Sequence, residues 1–201
     1  MKMAHIRGAI FVLGENMNGM LVIVDPQNDF INGALPVPGA EKAMNDLAEY
    51  VKENGRKYSH IVVTCDYHPV SHCSFLDNGG QWPPHCVAQT SGAELWPPLQ
   101  NALEGMEYEI LHKGDDAARE EYSIFRNPHA RMRLMDLSDT KKVEHYDICG
   151  IAGDYCVLQT LKDGSEIFGA NKFQVLCDYS PSIDGGKALD EFIKEKSICI
   201  K

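Results

Sequence analysis

Residues 20–25 read MLVIVD, an apolar run of five residues that ends in a carboxylate, Asp25. Four further apolar runs follow along the chain, at residues 60–65, 108–111, 146–151 and 173–177. The runs are continuous rather than alternating and are rich in Val and Ile, which is typical of strands covered on both faces of a sheet. We therefore predict a buried strand at each of them.

Between these runs lie segments with apolar residues at helical spacing, at residues 40–54, 154–168 and 183–195. Gly55 follows the first segment as a stop signal, and Asp184 is a candidate N-cap of the third. Strands that alternate with helices favour one α/β domain, with a mainly parallel sheet, right-handed crossovers and helices on both faces.

Composition narrows the function classes. The 201 residues carry 19 Lys+Arg against 29 Asp+Glu, a net charge of −10, so the surface repels phosphate backbones and nucleic-acid binding is not expected. Apolar runs fall well short of the roughly 20 residues that cross a bilayer, so no membrane insertion is expected. Seven cysteines without a C-x-x-C pair predict reduced thiols and a cytoplasmic protein.

Polar residues follow the ends of the predicted strands. Asp25 follows the first, residues 66–68 (DYH) the second, residues 112–113 (HK) the third, and residues 153–156 (GDYC) the fourth. Ligands of open parallel sheets bind beyond the carboxyl ends of the strands. We therefore expect these four groups to converge at one edge of the sheet.

The converging groups contain the parts of a nucleophilic site. Cys156 opens a predicted helix, where the positive end of the helix dipole favours a thiolate. A nearby ammonium such as that of Lys113 would lower the pKa of the thiol further, and a carboxylate could accept its proton. The pattern thus predicts a cysteine nucleophile with an activating cation and a base.

Histidines form a second group in the long segment 67–98, which is rich in Pro, Gly and His and holds both tryptophans. Asp66 and His68 form a D-x-H pair, and His72 and His85 follow. A carboxylate with two imidazoles suits zinc, iron or manganese. Two alternatives stay open: these histidines are polar surface residues, or thiolates replace some of them as ligands, the candidates being Cys73 and Cys86.

Five motifs occur in a characteristic order: VDPQNDF at residues 24–30, DYHP at 66–69, WPPHCV at 82–87, KG at 113–114 and GIAGDYCV at 150–157. In this order they resemble the nicotinamidase (pyrazinamidase) branch of the isochorismatase-like cysteine hydrolases. The resemblance spans about residues 20–186. It implies a three-layer sandwich and an amidohydrolase that converts its small-molecule substrate nicotinamide to nicotinate and ammonia, in cytoplasmic NAD salvage.

The resemblance also implies roles for individual residues. Asp25, Lys113 and Cys156 match the catalytic triad, and the backbone N–H groups of Ala152 and Cys156 match the oxyanion hole, with a cis peptide before Ala152. Gly153 departs from the family pattern, because relatives usually carry Thr, Ser or another small residue there.

For the metal, the resemblance implies Asp66, His68 and His85 as ligands of one divalent ion, with zinc expected and iron or manganese as alternatives. His72 matches a position that ligates the ion in some relatives and supports a ligand in others. Lining of the substrate pocket is implied for three aromatic residues: Phe30, Trp82 and Tyr155.

Two readings compete with the nicotinamidase assignment: another amidohydrolase of the same superfamily, acting on an N-carbamoyl or ureido substrate, and a non-catalytic metal-binding protein on the same fold. The intact set of Asp25, Lys113 and Cys156 disfavours the second.

For domain organisation we predict an N-terminal extension, residues 1–19, followed by a single hydrolase domain, residues 20–201. Whether the chain forms a homo-oligomer is left open.

Overall fold

The computed structural model describes residues 17–201, among which six strands form one sheet. They are β1 (Met17–Val24), β2 (Tyr58–Asp66), β3 (Tyr108–Lys113), β4 (His145–Gly150), β5 (Phe173–Val175) and β6 (Cys199–Ile200). Their order is β3-β2-β1-β4-β5-β6, and every neighbouring pair is parallel. The predicted parallel α/β fold is confirmed.

Helices cover both faces of the sheet. They are α1 (Asn28–Ile31), α2 (Ala40–Asn54), α3 (Pro97–Leu103), α4 (Pro128–Thr140), α5 (Leu158–Phe168) and α6 (Lys187–Lys196). Helices α2 and α3 share one apolar core with the sheet, and α4, α5 and α6 share the other. Within residues 17–201, no helix is long and apolar enough to cross a membrane.

Strand β1 shows why its sequence is apolar at consecutive positions. Leu21 and Ile23 lie in the core under α2, whereas Met20, Val22 and Val24 lie in the core under α4, α5 and α6. Alternate side chains of a strand point to opposite faces, and here both faces are covered. Burial on both sides therefore explains why residues 20–24 are all apolar.

Several elements differ from the prediction. Helices α3 and α4 and the short strand β6 were not predicted. In α4 the buried Leu134 and Leu137 alternate with Met132 and Met135, which are 65% and 38% exposed, so the apolar stripe is blurred. The third predicted helix begins at Lys187 rather than at residue 183. Asp184, the proposed N-cap, lies before this helix. Its carboxylate accepts hydrogen bonds from the backbone N–H groups of Gly186 and Ala188.

The predicted N-terminal extension falls only partly within the described residues. Strand β1 begins at Met17, so residues 17–19 belong to the sheet, and Gly19 pairs with His145 of β4. Residues 1–16 lie outside the described residues. That they are dispensable for the catalytic domain stays a prediction.

The carboxyl ends of the four central strands lie at one edge of the sheet. Val24 of β1 pairs with Thr64 and with Gly150, and Asp66 of β2 pairs with Lys113 of β3. At Gly150, where φ is +122°, an added Cβ would lie 2.0 Å from the Val24 carbonyl oxygen, so only glycine fits. From β1 the chain adds β2 and β3 on one side of the sheet and then β4, β5 and β6 on the other. The connections after β1 and β4 therefore leave in opposite directions, and this reversal places a crevice between the two strands.

Candidate active site

Lys113, the last residue of β3, is fully buried at the centre of the site. Its Nζ lies 2.8 Å from Asp25 Oδ2, 2.5 Å from Asp66 Oδ1 and 3.5 Å from Cys156 Sγ. Burial opposes the charge on Lys113, but the two carboxylates outweigh it and raise the pKa of the ammonium well above its usual value. Lys113, which belongs to one of the four groups predicted to converge, thus contacts the other three.

Asp25 lies directly after β1 with a left-handed backbone, φ +48°. Its Oδ1 accepts a hydrogen bond from Thr64 Oγ1 at 2.7 Å. Burial raises the pKa of Asp25, and Lys113 opposes that rise. A carboxylate with a raised pKa is better matched to taking a proton from a thiol than an exposed one.

Cys156 lies in a π-helical turn, Gly153–Val157, that precedes α5. The turn follows a cis peptide between Ile151 and Ala152, as expected, and the Ala152 carbonyl accepts from the N–H groups of Tyr155 and Val157, both at 3.1 Å. A π-helical turn is rare and is often found at functional sites. This geometry replaces the regular helix start predicted for the cysteine.

The pKa of the Cys156 thiol shifts in the direction opposite to the one that the sequence predicts. Burial raises the pKa of its thiol well above the usual value, although Lys113 acts in the opposite direction. The Sγ atom and carboxylate oxygens of Asp25 and Asp66 lie within 4.8 Å of one another. The arrangement therefore favours a neutral thiol that transfers its proton to an adjacent carboxylate.

Asp66, His68 and His85 bring one ligand atom each within 4.8 Å of one another. His68 Nδ1 donates to the Gly114 carbonyl at 2.8 Å, and His85 Nδ1 donates to the Pro83 carbonyl at 2.8 Å. Because a carbonyl oxygen can only accept, each Nδ1 carries a proton, which leaves Nε2 as the nitrogen that can ligate an ion. Two oriented imidazoles and a carboxylate fit a divalent metal ion such as zinc.

The charges in this group also suit a metal ion. Burial opposes ionisation of Asp66, but Lys113 and His68 outweigh it and hold the pKa of Asp66 well below its usual value. Burial lowers the pKa of His85, which keeps that imidazole neutral. At His68, burial is outweighed by Asp66, which raises the pKa of the imidazole, so an ion bound there would have to displace a proton from Nε2.

His72 lies behind His68 and uses both of its ring nitrogens. The rings stack with centroids 4.0 Å apart, His72 Nδ1 lies 2.7 Å from Ser74 Oγ, and His72 Nε2 donates to the Arg119 carbonyl at 2.9 Å. The structure therefore places His72 as a support of His68. Among residues 17–201, the close groups of potential ligands contain neither of the two alternative thiolates, those of Cys73 and Cys86.

A small pocket, open to solvent, leads to Cys156. The three predicted aromatic residues, Phe30, Trp82 and Tyr155, all line it. Trp82 and Tyr155 meet edge to face, with ring centroids 5.2 Å apart. The pocket is thus aromatic on its walls and has the thiol and His85 within its lining.

Three residues of the site were not predicted from the sequence. Tyr122 lines the pocket, and its hydroxyl accepts from Trp82 Nε1 at 3.0 Å. Gln27 fixes the backbone of Asp66 through two hydrogen bonds. Its Nε2 donates to the Asp66 carbonyl at 2.7 Å, and its Oε1 accepts from the Asp66 N–H at 2.8 Å. Thr64 holds Asp25. Gln27 lies inside the quoted VDPQNDF motif, which was a usable signal, whereas nothing in segment 114–128 distinguished Tyr122.

His112, grouped with Lys113 by the sequence, does not reach the site. It is exposed and stacks on Tyr67 with centroids 4.4 Å apart. Successive residues of a strand point to opposite faces, so only one of this pair could face the crevice.

This fold, with a buried carboxylate, lysine and cysteine that meet at the carboxyl ends of its strands, is that of the isochorismatase-like hydrolases. The chain belongs to the isochorismatase family, whose domain model matches residues 19–166. Nicotinamidase of Saccharomyces cerevisiae is 30% identical over 205 residues, covering 88% of this chain and 94% of the relative. Nicotinamidase/pyrazinamidase of Mycobacterium tuberculosis is 36% identical over 148 residues, covering 71% and 76%.

Among solved structures, the pyrazinamidase of Pyrococcus horikoshii in complex with zinc is similar, with a TM-score of 0.79 and 34% identity. The match covers 92% of this chain and 98% of that one. Similarity therefore extends over nearly the whole described fold.

Proposed function

We propose that this protein is a nicotinamidase, which hydrolyses nicotinamide to nicotinate and ammonia through a thioester on Cys156. The observation that carries the proposal is the contact of Lys113 with Asp25, Asp66 and Cys156 at the end of an aromatic pocket. Relatives that are nicotinamidases support the choice of substrate.

In the first step, Cys156 gives its thiol proton to Asp25, and Sγ attacks the carboxamide carbon. Lys113 stabilises the carboxylate and the developing thiolate, since its ammonium contacts both. The backbone N–H groups of Ala152 and Cys156 are the proposed donors to the oxyanion. A donor of this kind typically contributes about 3–4 kcal/mol to the transition state.

Asp25 then returns the proton to the departing nitrogen, so that ammonia leaves and the thioester remains. A water molecule next loses a proton to Asp25 and attacks the thioester carbon. The C–S bond breaks, Sγ regains the proton from Asp25, and nicotinic acid leaves and loses its carboxyl proton to solvent to become nicotinate. Asp25 acts in each of the proton transfers to and from Cys156, the departing nitrogen and the attacking water.

The proposed metal ligands are Asp66, His68 and His85, with zinc as the expected ion and iron or manganese as alternatives. When bound, such an ion supplies a Lewis acid for the pyridine nitrogen of the substrate. Phe30, Trp82 and Tyr155 are proposed to hold the pyridine ring between them. A place in NAD salvage would follow from this reaction, cytoplasmic location stays a prediction, and the oligomeric state stays open.

Ammonia release from nicotinamide tests the proposal, with wild type compared with Cys156→Ala and Cys149→Ala. Cys149 is a matched control because it is a fully buried thiol on β4. We expect Cys156→Ala to abolish turnover and Cys149→Ala to retain it. Full activity of Cys156→Ala would refute the mechanism, and release from an N-carbamoyl substrate alone would favour the rival amidohydrolase.

A further inference from the structure

A buried carboxylate outside the triad and the metal-ligand group belongs to the segment that follows β3. Glu121 is 2% exposed, and its Oε2 accepts from the Gly114 N–H at 2.8 Å and from Asn127 Nδ2 at 3.0 Å. Gly114 and Asn127 stand at the two ends of segment 114–127, which joins β3 to α4. One oxygen atom therefore ties the ends of this segment together.

The same segment supplies backbone carbonyls to two histidines of the site. Gly114 accepts from His68 Nδ1 at 2.8 Å, and Arg119 accepts from His72 Nε2 at 2.9 Å. Gly114 also contacts the imidazole closely, because an added Cβ would lie 2.3 Å from His68 Cε1. The position of Gly114 thus sets the orientation of the His68 ring.

Both backbone polar groups of Gly114 form hydrogen bonds: the N–H donates to Glu121, and the carbonyl accepts from His68. Gly114 has φ +66°, and glycine moves between backbone conformations more readily than any other residue. A hydrogen bond to the N–H of such a permissive residue restricts its backbone and therefore the position of its carbonyl. Glu121 provides that restraint from a buried position.

We propose that Glu121 is a positioning residue for His68: by holding Gly114, it fixes the carbonyl that accepts from His68 Nδ1 and so keeps Nε2 turned toward Asp66, 3.5 Å away. The inference rests on the proposed function, since it takes Asp66, His68 and His85 as the metal ligands. Mutation of a group that orients a ligating histidine typically lowers metal affinity or activity by about 10–100-fold.

The test measures zinc affinity by competition with a chromophoric chelator. Glu121→Leu keeps the approximate size of the side chain but removes the acceptor, and zinc affinity should fall by about 10–100-fold. Glu121→Gln keeps one oxygen, which can accept from both Gly114 and Asn127 as Oε2 does, and should bind zinc like wild type. Raising the zinc concentration should restore much of the nicotinamide turnover lost in Glu121→Leu.

Asp147→Leu is the matched control for lost stability. Asp147 is also a fully buried carboxylate, and it accepts from Tyr58 Oη at 2.6 Å and from Lys201 Nζ at 3.1 Å. This variant should unfold more easily but bind zinc with wild-type affinity. An equal loss of affinity in both leucine variants would show that Glu121 acts through stability alone and would overturn the inference.

Wild-type affinity in Glu121→Leu would also overturn it, while leaving the proposed function intact. Wild-type protein that neither binds zinc nor hydrolyses nicotinamide would instead refute the proposed function and the inference with it. If Glu121→Leu does not fold, Glu121→Asp withdraws the oxygens by one methylene and keeps the charge. Reduced zinc affinity is then expected, and unchanged affinity would count against Glu121.

Discussion

Lys113→Met keeps a long side chain at the centre of the site but removes its ammonium. In wild type this ammonium is fully buried and lies 2.8 Å from Asp25 and 2.5 Å from Asp66. Removing one partner of a buried ion pair costs about 3–5 kcal/mol, because the remaining charge is uncompensated. We expect the free energy of unfolding of the metal-free variant to be lower by that amount at pH 7.

The pH dependence of this loss has a definite sign. In wild type, the lowered pKa of Asp66 contributes stability above the unfolded value of 3.8, and that stability is lost as pH falls through the folded pKa. Without Lys113, burial and mutual repulsion raise the pKa of both Asp25 and Asp66. Protonation then stabilises the folded variant as pH falls, so the difference from wild type should narrow between pH 7 and about pH 4.

Urea denaturation in the presence of a chelator measures the effect. With a slope of about 2–3 kcal/mol/M for a chain of this length, the midpoint should fall by about 1–2.5 M at pH 7. Lys42→Met is the control, because Lys42 pairs with Asp46 at the surface, and its midpoint should not change measurably. A midpoint of Lys113→Met equal to that of wild type, or a difference that widens toward acid, would refute the reasoning.

Three further results are expected. Thr64→Val removes a donor that lowers the pKa of Asp25, so the acid limb of kcat/KM should move to higher pH, and an unmoved limb would argue against Asp25 as the base. Tyr122→Phe removes the acceptor for the Trp82 indole at a cost of about 1 kcal/mol, so KM for nicotinamide should rise roughly five-fold with kcat little changed. Chelation should depress nicotinamide turnover strongly but barely alter the slow turnover of benzamide, which lacks the ring nitrogen, whereas equal losses would contradict a role in ring binding.

The sequence predicted the central sheet because burial on both faces leaves a continuous apolar run, as at residues 20–24. It also predicted which residues meet, since the carboxyl ends of parallel strands share an edge. Asp25, Asp66, Lys113 and Cys156 are brought together in this way. The residue types at the strand ends therefore predicted a nucleophile, a cation and a base, whereas the roles of Asp25, Lys113 and Cys156 as a triad came from the resemblance and stay a prediction.

Other features depend on tertiary contacts that leave little local pattern. The raised pKa of Cys156 follows from burial, which outweighs the nearby ammonium and cannot be read from the order of residues. The place of His72 depends on the Arg119 carbonyl, which is 47 residues away in the chain. Helix α4 was missed because Met132 and Met135 are exposed, so its apolar positions do not form a clear stripe.

The parallel topology also has a consequence for how activity is regained after denaturation. The bonds within the site span 39 residues from Thr64 to Asp25, 47 from Lys113 to Asp66 and 43 from Lys113 to Cys156. Contacts this distant in sequence form slowly, because loop closure is entropically costly. Helix α2 needs no such closure and can gain its backbone hydrogen bonds early. During refolding, the far-UV circular dichroism signal should therefore recover ahead of catalysis, and the delay between them measures the time needed to assemble the central strands.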